Sequence, residues 1–232
     1  MIPLPFEQFP ALSAIGICRH AFTQRIPGID VSHDKAEVLK RLDVAYRGIH
    51  KAIGVGDSPL FTAQQIHGNK IAVANEVRLA RRADRTPVGR EFPGCDGIIT
   101  NQRGIVLGVY VADCCAVYIV DPKTPAIGLV HSGRKGTEFG VVSNAINQMI
   151  DRFGSDPAKM IVQLSPCIRP PHYEVDFAVE IIRQSRALSV KEIHDSGVCT
   201  ACDLERYYSY RAEKGKTGRM LALIGLNPTI TN

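Results

Sequence analysis

Apolar residues in this chain come in short runs with polar breaks, and their spacing sets out the elements. Ile105–Val111 and Ala116–Val120 are rich in Val and Ile and flank the triplet Asp113-Cys114-Cys115. A third run, Ala126–Val130, ends on His131 and the Gly-flanked basic turn Gly133-Arg134-Lys135-Gly136. Runs of this length bounded by Gly, Asp and Pro predict buried strands. Further strands are expected at Ala14–Cys18 and from His20, and at Leu60–Ile66, Lys70–Ala74, Ala158–Leu164 and Met220–Leu226. Elsewhere the period becomes helical. Asp34–Ile53 spaces Ala36, Leu39, Leu42, Val44, Ile49 and Ile53 along one helix, with Ser32 or Asp34 as its cap and Gly54 after it. Thr137–Phe153 gathers Phe139, Val142, Ala145, Ile146, Met149 and Ile150 on one side and ends at Gly154. Phe177–Leu188 reads as another helix, and residues 78–94 as a loop. Strands alternating with helices predict one mixed α/β domain over residues 1–232, without repeats, low-complexity segments or a clear linker.

Composition narrows the function. With 232 residues, 45% of them hydrophobic, the chain can bury a sizeable core. A formal charge of +5 is far from a nucleic-acid footprint. The densest basic cluster, Arg78, Arg81 and Arg82 with Arg85 and Arg90, has no interleaved aromatics and reads as a solvated face. No nucleic-acid partner is expected. No apolar run approaches the ~18 residues of a membrane span, and the first residues lack the basic start and apolar core of a signal peptide. A cytoplasmic protein is expected, monomeric or weakly self-associating. The seven cysteines are then reduced thiols. Cys199-Thr-Ala-Cys202 is a CxxC without a second such pair, and reads as two ordinary thiols rather than a zinc or redox motif.

The chemistry-bearing residues concentrate in three stretches: Gln65-Ile-His67-Gly68, Ala112-Asp113-Cys114 and Val130-His131-Ser-Gly-Arg-Lys-Gly136. Two imidazoles and a thiolate suit zinc, which accepts mixed N/S ligands and in catalytic sites keeps a position for water. Its water would ionise near pH ~7. The same residues also read as a Cys nucleophile with a His base, or as separate packing side chains. The gaps between them, 46 and 16 residues, match no local metal motif. Asp113 can orient a ligand imidazole or cap a turn. Asp96, before Gly97, reads as a turn former. Cys115 alternates away from Cys114 and belongs in the core. Tyr207, Tyr208 and Tyr210 fit either stacking on an aromatic base or a packed segment before the last strand.

The ordered series QQIHG, CDGIIT, VADC, VHSGRKG, SPCIRPPHYEVD and VCTACDLERYYSYR…TGRM resembles the YfiH family, also called the laccase-domain or multicopper polyphenol oxidase family, and is similar to the peptidoglycan-editing factors. The likeness runs from about residue 60 to 222. It implies mixed sheets flanked by helices, related to Cys–His hydrolase-like folds. It also implies a metal site at His67, Cys114 and His131, usually zinc with copper also reported. Family members are credited with purine nucleoside phosphorolysis and adenosine deamination, which makes Cys114, His131 and Lys135 the expected catalytic residues. A nucleoside and phosphate would be the small-molecule partners. Lys135 aligns with the family's phosphate-holding arginine, aided by the amides of the helix that follows. Arg25 and Arg211 fall on family-like basic positions, and Cys167 and Tyr173 on expected pocket walls. One cysteine and two histidines suit a single zinc better than a multicopper cluster, so the oxidase label is disfavoured. The remaining alternatives are a metal-independent Cys–His amidase acting on a peptidoglycan precursor and a non-catalytic binding protein. The chain departs from the family at H-A-G-W-R-G, where it has His131-Ser-Gly-Arg134-Lys135-Gly. Replacing a bidentate arginine with a lysine is not conservative for oxyanions.

Overall fold

The computed structural model describes residues 4–75 and 90–227. The chain runs β1 (Phe6–Glu7), α1 (Pro10–Ala14), β2 (Cys18–Thr23), α2 (Lys35–Ala52), β3 (Leu60–Ala63), β4 (Ile71–Val73), β5 (Arg90–Phe92), β6 (Gly97–Thr100), β7 (Val106–Val111), β8 (Cys115–Asp121) and β9 (Ala126–Ser132). It continues with α3 (Arg134–Glu138), α4 (Val141–Phe153), β10 (Ile161–Leu164), α5 (Phe177–Ala187), β11 (Glu192–Asp195) and β12 (Met220–Leu226). Two six-stranded mixed sheets result, in the orders β1-β2-β12-β7-β3-β5 and β11-β10-β8-β9-β6-β4.

Alternation along the strands explains the layers. On β8, Ala116, Tyr118 and Val120 enter one core cluster with residues of the first sheet, whereas Cys115, Val117 and Ile119 enter another beneath α4 and α5. The first cluster fills the seam between the sheets and extends to both faces of the first sheet, and the Tyr118 hydroxyl crosses the seam to donate to the Ala21 carbonyl at 2.8 Å. On β9, Ile127 and Leu129 face this seam while Ala126 and Val130 face away. Every residue of β8 and β9 is buried, as expected of apolar strands covered on both faces. α2 adds Val38, Leu42, Tyr46 and Ile49 to the first cluster. The Asp34 carboxylate accepts from the Ala36 and Glu37 amides, as its cap position predicts.

The differences from the expected elements are local. Ala14 ends the short helix α1 rather than opening a strand, and Gly16 follows at φ +66°. The helix expected over Thr137–Phe153 is two pieces, α3 and α4, parted at Gly140 with φ +68°. Arg90–Phe92 of the expected 78–94 loop is an edge strand, and the basic cluster Arg78–Arg85 lies outside the described residues. Strand β11 is short, polar and half exposed, and has no periodic signal. Among the described residues no helix is long and apolar enough to cross a membrane.

Candidate metal centre and cleft

His131 stands on β9 with the same parity as Ile127 and Leu129, so it faces the seam between the sheets and is only 3% exposed. Asp96 precedes β6. The antiparallel register Gly97↔Val130 sets Asp96 opposite His131, and the His131 amide donates to the Asp96 carbonyl at 2.7 Å. Their side chains meet as well, with His131 Nδ1 2.9 Å from Asp96 Oδ1, which accepts its proton. The same carboxylate accepts the amides of His67 (2.8 Å) and Gly68 (2.7 Å). One fully buried aspartate thus orients one imidazole and fixes the backbone that carries the other. Burial works against its charge, but His131 and the two amides outweigh that and hold its pKa below the ordinary value.

His67 lies in the loop after β3 with φ +61°, two residues beyond Gln65 at φ +64°. The Gln65 side chain fixes this turn by bonding both main-chain groups of Tyr110 on β7, accepting from its amide (2.9 Å) and donating to its carbonyl (2.5 Å). Cys114 comes from the crossing between β7 and β8, after Asp113 at φ +84°. These three non-glycine residues in left-handed backbone surround the same site, a concentration of strain found at functional centres.

His67, Cys114 and His131 each present a ligand atom, and the three atoms lie within 4.8 Å of one another. The imidazole rings meet edge to face at 4.8 Å. Gly133 closes the site, since a Cβ there would stand 2.6 Å from Cys114 Sγ. Burial pushes the Cys114 thiol up, yet the charge and hydrogen bonds of His131 and His67 bring it down to about 6. Burial likewise opposes charge on His131, yet Cys114 and Asp96 raise it to about 9. Without an ion, each group thus shifts the other toward its charged form, Cys114 toward thiolate and His131 toward imidazolium. With one, the donor set fits. His131 has its Nδ1 held by a carboxylate, leaving Nε2 as the ligand, and two nitrogens with one sulfur match zinc's preferences.

The cluster opens into a cleft of about 1030 Å³. Lys135, Tyr173 and Arg211, all expected at the substrate, line it. The Arg211 guanidinium pairs with Glu174 at 2.9 Å and lies 5.4 Å from the centre of the Tyr173 ring. Lys135 is exposed and pairs with no carboxylate among the described residues. Helix α3, which carries it, has only five residues, so the long helix whose amides were expected to assist is not there.

Two expected substrate contacts do not line the cleft. Arg25 is held by Glu213 (2.9 Å) and the Tyr207 carbonyl (3.1 Å) and lies over the Tyr208 ring. Cys167 is fully buried in the cluster beneath α4 and α5, beside Cys115. Its neighbour Ile168 reaches the cleft instead. Asp113 does not orient a histidine. It accepts from the Thr200 hydroxyl (2.8 Å) and the Arg211 amide (2.7 Å), which makes it a turn anchor. The orienting carboxylate is Asp96. Its signal was weak, an acid opening a fully buried strand. Tyr207 and Tyr208 are buried, whereas Tyr210 is 55% exposed at the cleft. Lys35 and Lys214 also line the cleft with no motif to announce them, and so does Arg219 of the TGRM segment, which is not among the expected site residues.

Two mixed sheets with a His–Cys–His cluster at their seam define an α/β protein with a candidate metal centre. The chain belongs to the family described as multi-copper polyphenol oxidoreductase laccase, whose sequence pattern matches residues 14–185 and 180–227. It is 25% identical over 246 residues to the purine nucleoside phosphorylase YlmD of Bacillus subtilis, covering 91% of this chain and 85% of that one. To the protein of the same name from Geobacillus stearothermophilus it is 29% identical over 198 residues, 70% of each chain. The crystal structure of YlmD from Geobacillus stearothermophilus superposes with a TM-score of 0.77 at 23% identity, over 97% of this chain and 100% of that one. The hypothetical protein YfiH of Bacillus licheniformis gives 0.78 at 21% identity, over 97% and 98%. The mixed α/β fold is thus the one these structures share.

Proposed function

We propose that the protein is a cytoplasmic purine nucleoside phosphorylase with accompanying adenosine deaminase activity, built on a zinc site at His67, Cys114 and His131. The observation that carries the reading is the meeting of these three donors on the lining of the cleft, in a chain whose relatives bear the phosphorylase name. Zinc, with copper as the second choice, would supply Lewis-acid activation of an oxygen. A single three-donor cluster suits one such ion, and it is the only one of its kind among the described residues. The protein's own groups do the rest. Asp96 fixes His131 and the His67 backbone. Cys114 is held as thiolate. Lys135 offers its charge to phosphate from an exposed position beside the cluster. Tyr173 and Tyr210 give flat walls for a purine. In phosphorolysis a phosphate oxygen bonds to the ribose anomeric carbon. The bond to the base breaks with its electron pair on the base, which takes up a proton.

A second reading has its own support. The thiolate–imidazolium pair of Cys114 and His131 is the arrangement of a Cys–His hydrolase, with Cys114 as nucleophile and His131 as acid and base. One experiment separates the readings. Purified protein is assayed for metal, then given inosine and adenosine with and without phosphate. Bound zinc, phosphate-dependent base release and ammonia from adenosine are expected; Cys114→Ala should abolish all three, and Lys135→Ala only the phosphate-dependent base release. A metal-free protein that releases neither base nor ammonia, yet is inactivated by thiol alkylation of an acyl-transfer activity, would refute the first reading and leave the second.

A further inference from the structure

The cleft carries more positive charge than one phosphate requires. Two of its guanidinium groups are already neutralised, Arg134 by Glu138 (2.9 Å) and Arg211 by Glu174 (2.9 Å). Lys35, Lys135, Lys214 and Arg219 also line it, and none pairs with a carboxylate within 4.0 Å among the described residues. A chain of net charge +5 thus leaves four unneutralised cations on one concave surface.

Two of these cations are built differently from the rest. Arg219 immediately precedes β12 in the first sheet and is half-buried. Its Nη1 is anchored to the carbonyls of Thr217 (3.1 Å) and Gly218 (2.8 Å), and its guanidinium stacks over Tyr210, 5.6 Å from the ring centre. Nε and Nη2 make no hydrogen bond among the described residues. A fixed guanidinium with two donors to spare is the geometry that recognises phosphoryl oxygens. Lys35 opens α2 at the same wall. Its side chain is exposed, yet partial desolvation of the ammonium and the charge of Arg219 lower its pKa against the opposing pull of Glu91. Lys35, Arg219 and Cys114 all line the cleft, so the two cations share it with the His–Cys–His cluster. Lys135 follows β9 of the second sheet. Like charges brought together with too little counter-charge are unfavourable unless an anion joins them. The volume of about 1030 Å³ lies at the upper end of the ~300–1,000 Å³ of small-molecule sites, with room for a second phosphoryl group.

We propose that Lys35 and Arg219 form a second anion subsite, which takes the 5′-phosphate of the substrate, so that the cleft accepts purine nucleoside 5′-monophosphates. This deepens the phosphorylase reading and rests on it for turnover, though not for binding. Phosphorolysis would break the bond between ribose C1′ and the base and join C1′ to the incoming phosphate. The products are free purine, which takes up the proton, and ribose 1,5-bisphosphate.

The test is calorimetric binding of adenosine and adenosine 5′-monophosphate to the metal-loaded protein, in phosphate-free buffer. The monophosphate should bind about tenfold more tightly, the value of one well-made charged contact. Lys35→Glu and Arg219→Gln should each lower the monophosphate-to-adenosine affinity ratio by at least about fivefold. Lys35 is exposed, so its variant remains informative if the arginine variant misfolds. Equal affinity for the two ligands, or a ratio untouched by these variants and abolished by Lys135→Ala, would overturn the subsite. Protein that releases no base from any nucleoside, but keeps the preference and loses it in Lys35→Glu, refutes the phosphorylase reading while supporting the subsite.

Discussion

Gly133 offers the sharpest test of the seam geometry. Its backbone, φ −99° and ψ −171°, is open to any residue, so Gly133→Ala adds a methyl without adding backbone strain. The methyl would sit 2.6 Å from Cys114 Sγ and 3.9 Å from His67 Cδ2. Ordinary contact begins near 3.5 Å, so the sulfur or the turn must yield by about 1 Å. Ligand distances in a zinc site are held to about 0.2 Å. A shift several times larger should lower zinc affinity about 10- to 100-fold, the loss seen when a ligand's support is removed. Overpacking alone should lower metal-free stability by about 1–3 kcal/mol. Chelator-competition titration measures the first quantity and urea unfolding of metal-free protein the second. Zinc affinity within about threefold of wild type, with an unchanged unfolding midpoint, would show that Gly133 does not hold Cys114 in place.

Two further outcomes follow from buried charge. Asp96→Asn keeps the size of the side chain but removes the negative charge facing His131. It should lower zinc affinity by at least about tenfold and metal-free stability by about 3 kcal/mol, and an unaltered urea midpoint would contradict the orienting role. His20 is 1% exposed, accepts the Phe9 amide at 2.7 Å and is pushed by burial down to about 4, from 6.5. Between those values the unfolded chain binds the proton more readily, so the contribution is complete above pH 6.5 and is lost as pH falls toward 4. At about 1.4 kcal/mol per pH unit the loss reaches about 3 kcal/mol. His20→Gln should flatten that part of the stability–pH profile, and equal slopes in the two proteins would count against it.

The sequence disclosed what depends on neighbours along the chain. The apolar runs became β7, β8, β9 and β12, nearly residue for residue, and Asp34 capped α2 because its cap, period and following glycine all agree. Alternation sent Cys115 to the core and left Cys114 toward the seam. What stayed hidden depends on pairing across the chain. Asp96 looks like a turn former until the β6–β9 register sets it against His131. Arg25 reads as a candidate cation in the sequence, but the fold engages it with the carboxylate of Glu213. Arg219 meets the cleft only because β12 lies in the middle of the first sheet, and no periodicity announces that. The split at Gly140 was visible as a glycine, but only its positive φ breaks the helix.

The position of β12 has a consequence for how the protein comes into being. Its seven residues lie between β2 and β7, with Leu226 beside Cys18 and Met220 beside Val111. On the ribosome, the strand that completes the first sheet emerges long after its partners. Until then β2 and β7 present unpaired edges, the condition in which nascent chains aggregate. The segment just ahead of β12 also supplies Tyr210, Arg211 and Arg219 to the cleft. Assembly of the cleft therefore waits for closure of the sheet, and a chain halted before β12 lacks the first sheet's central strand and one wall of its site together.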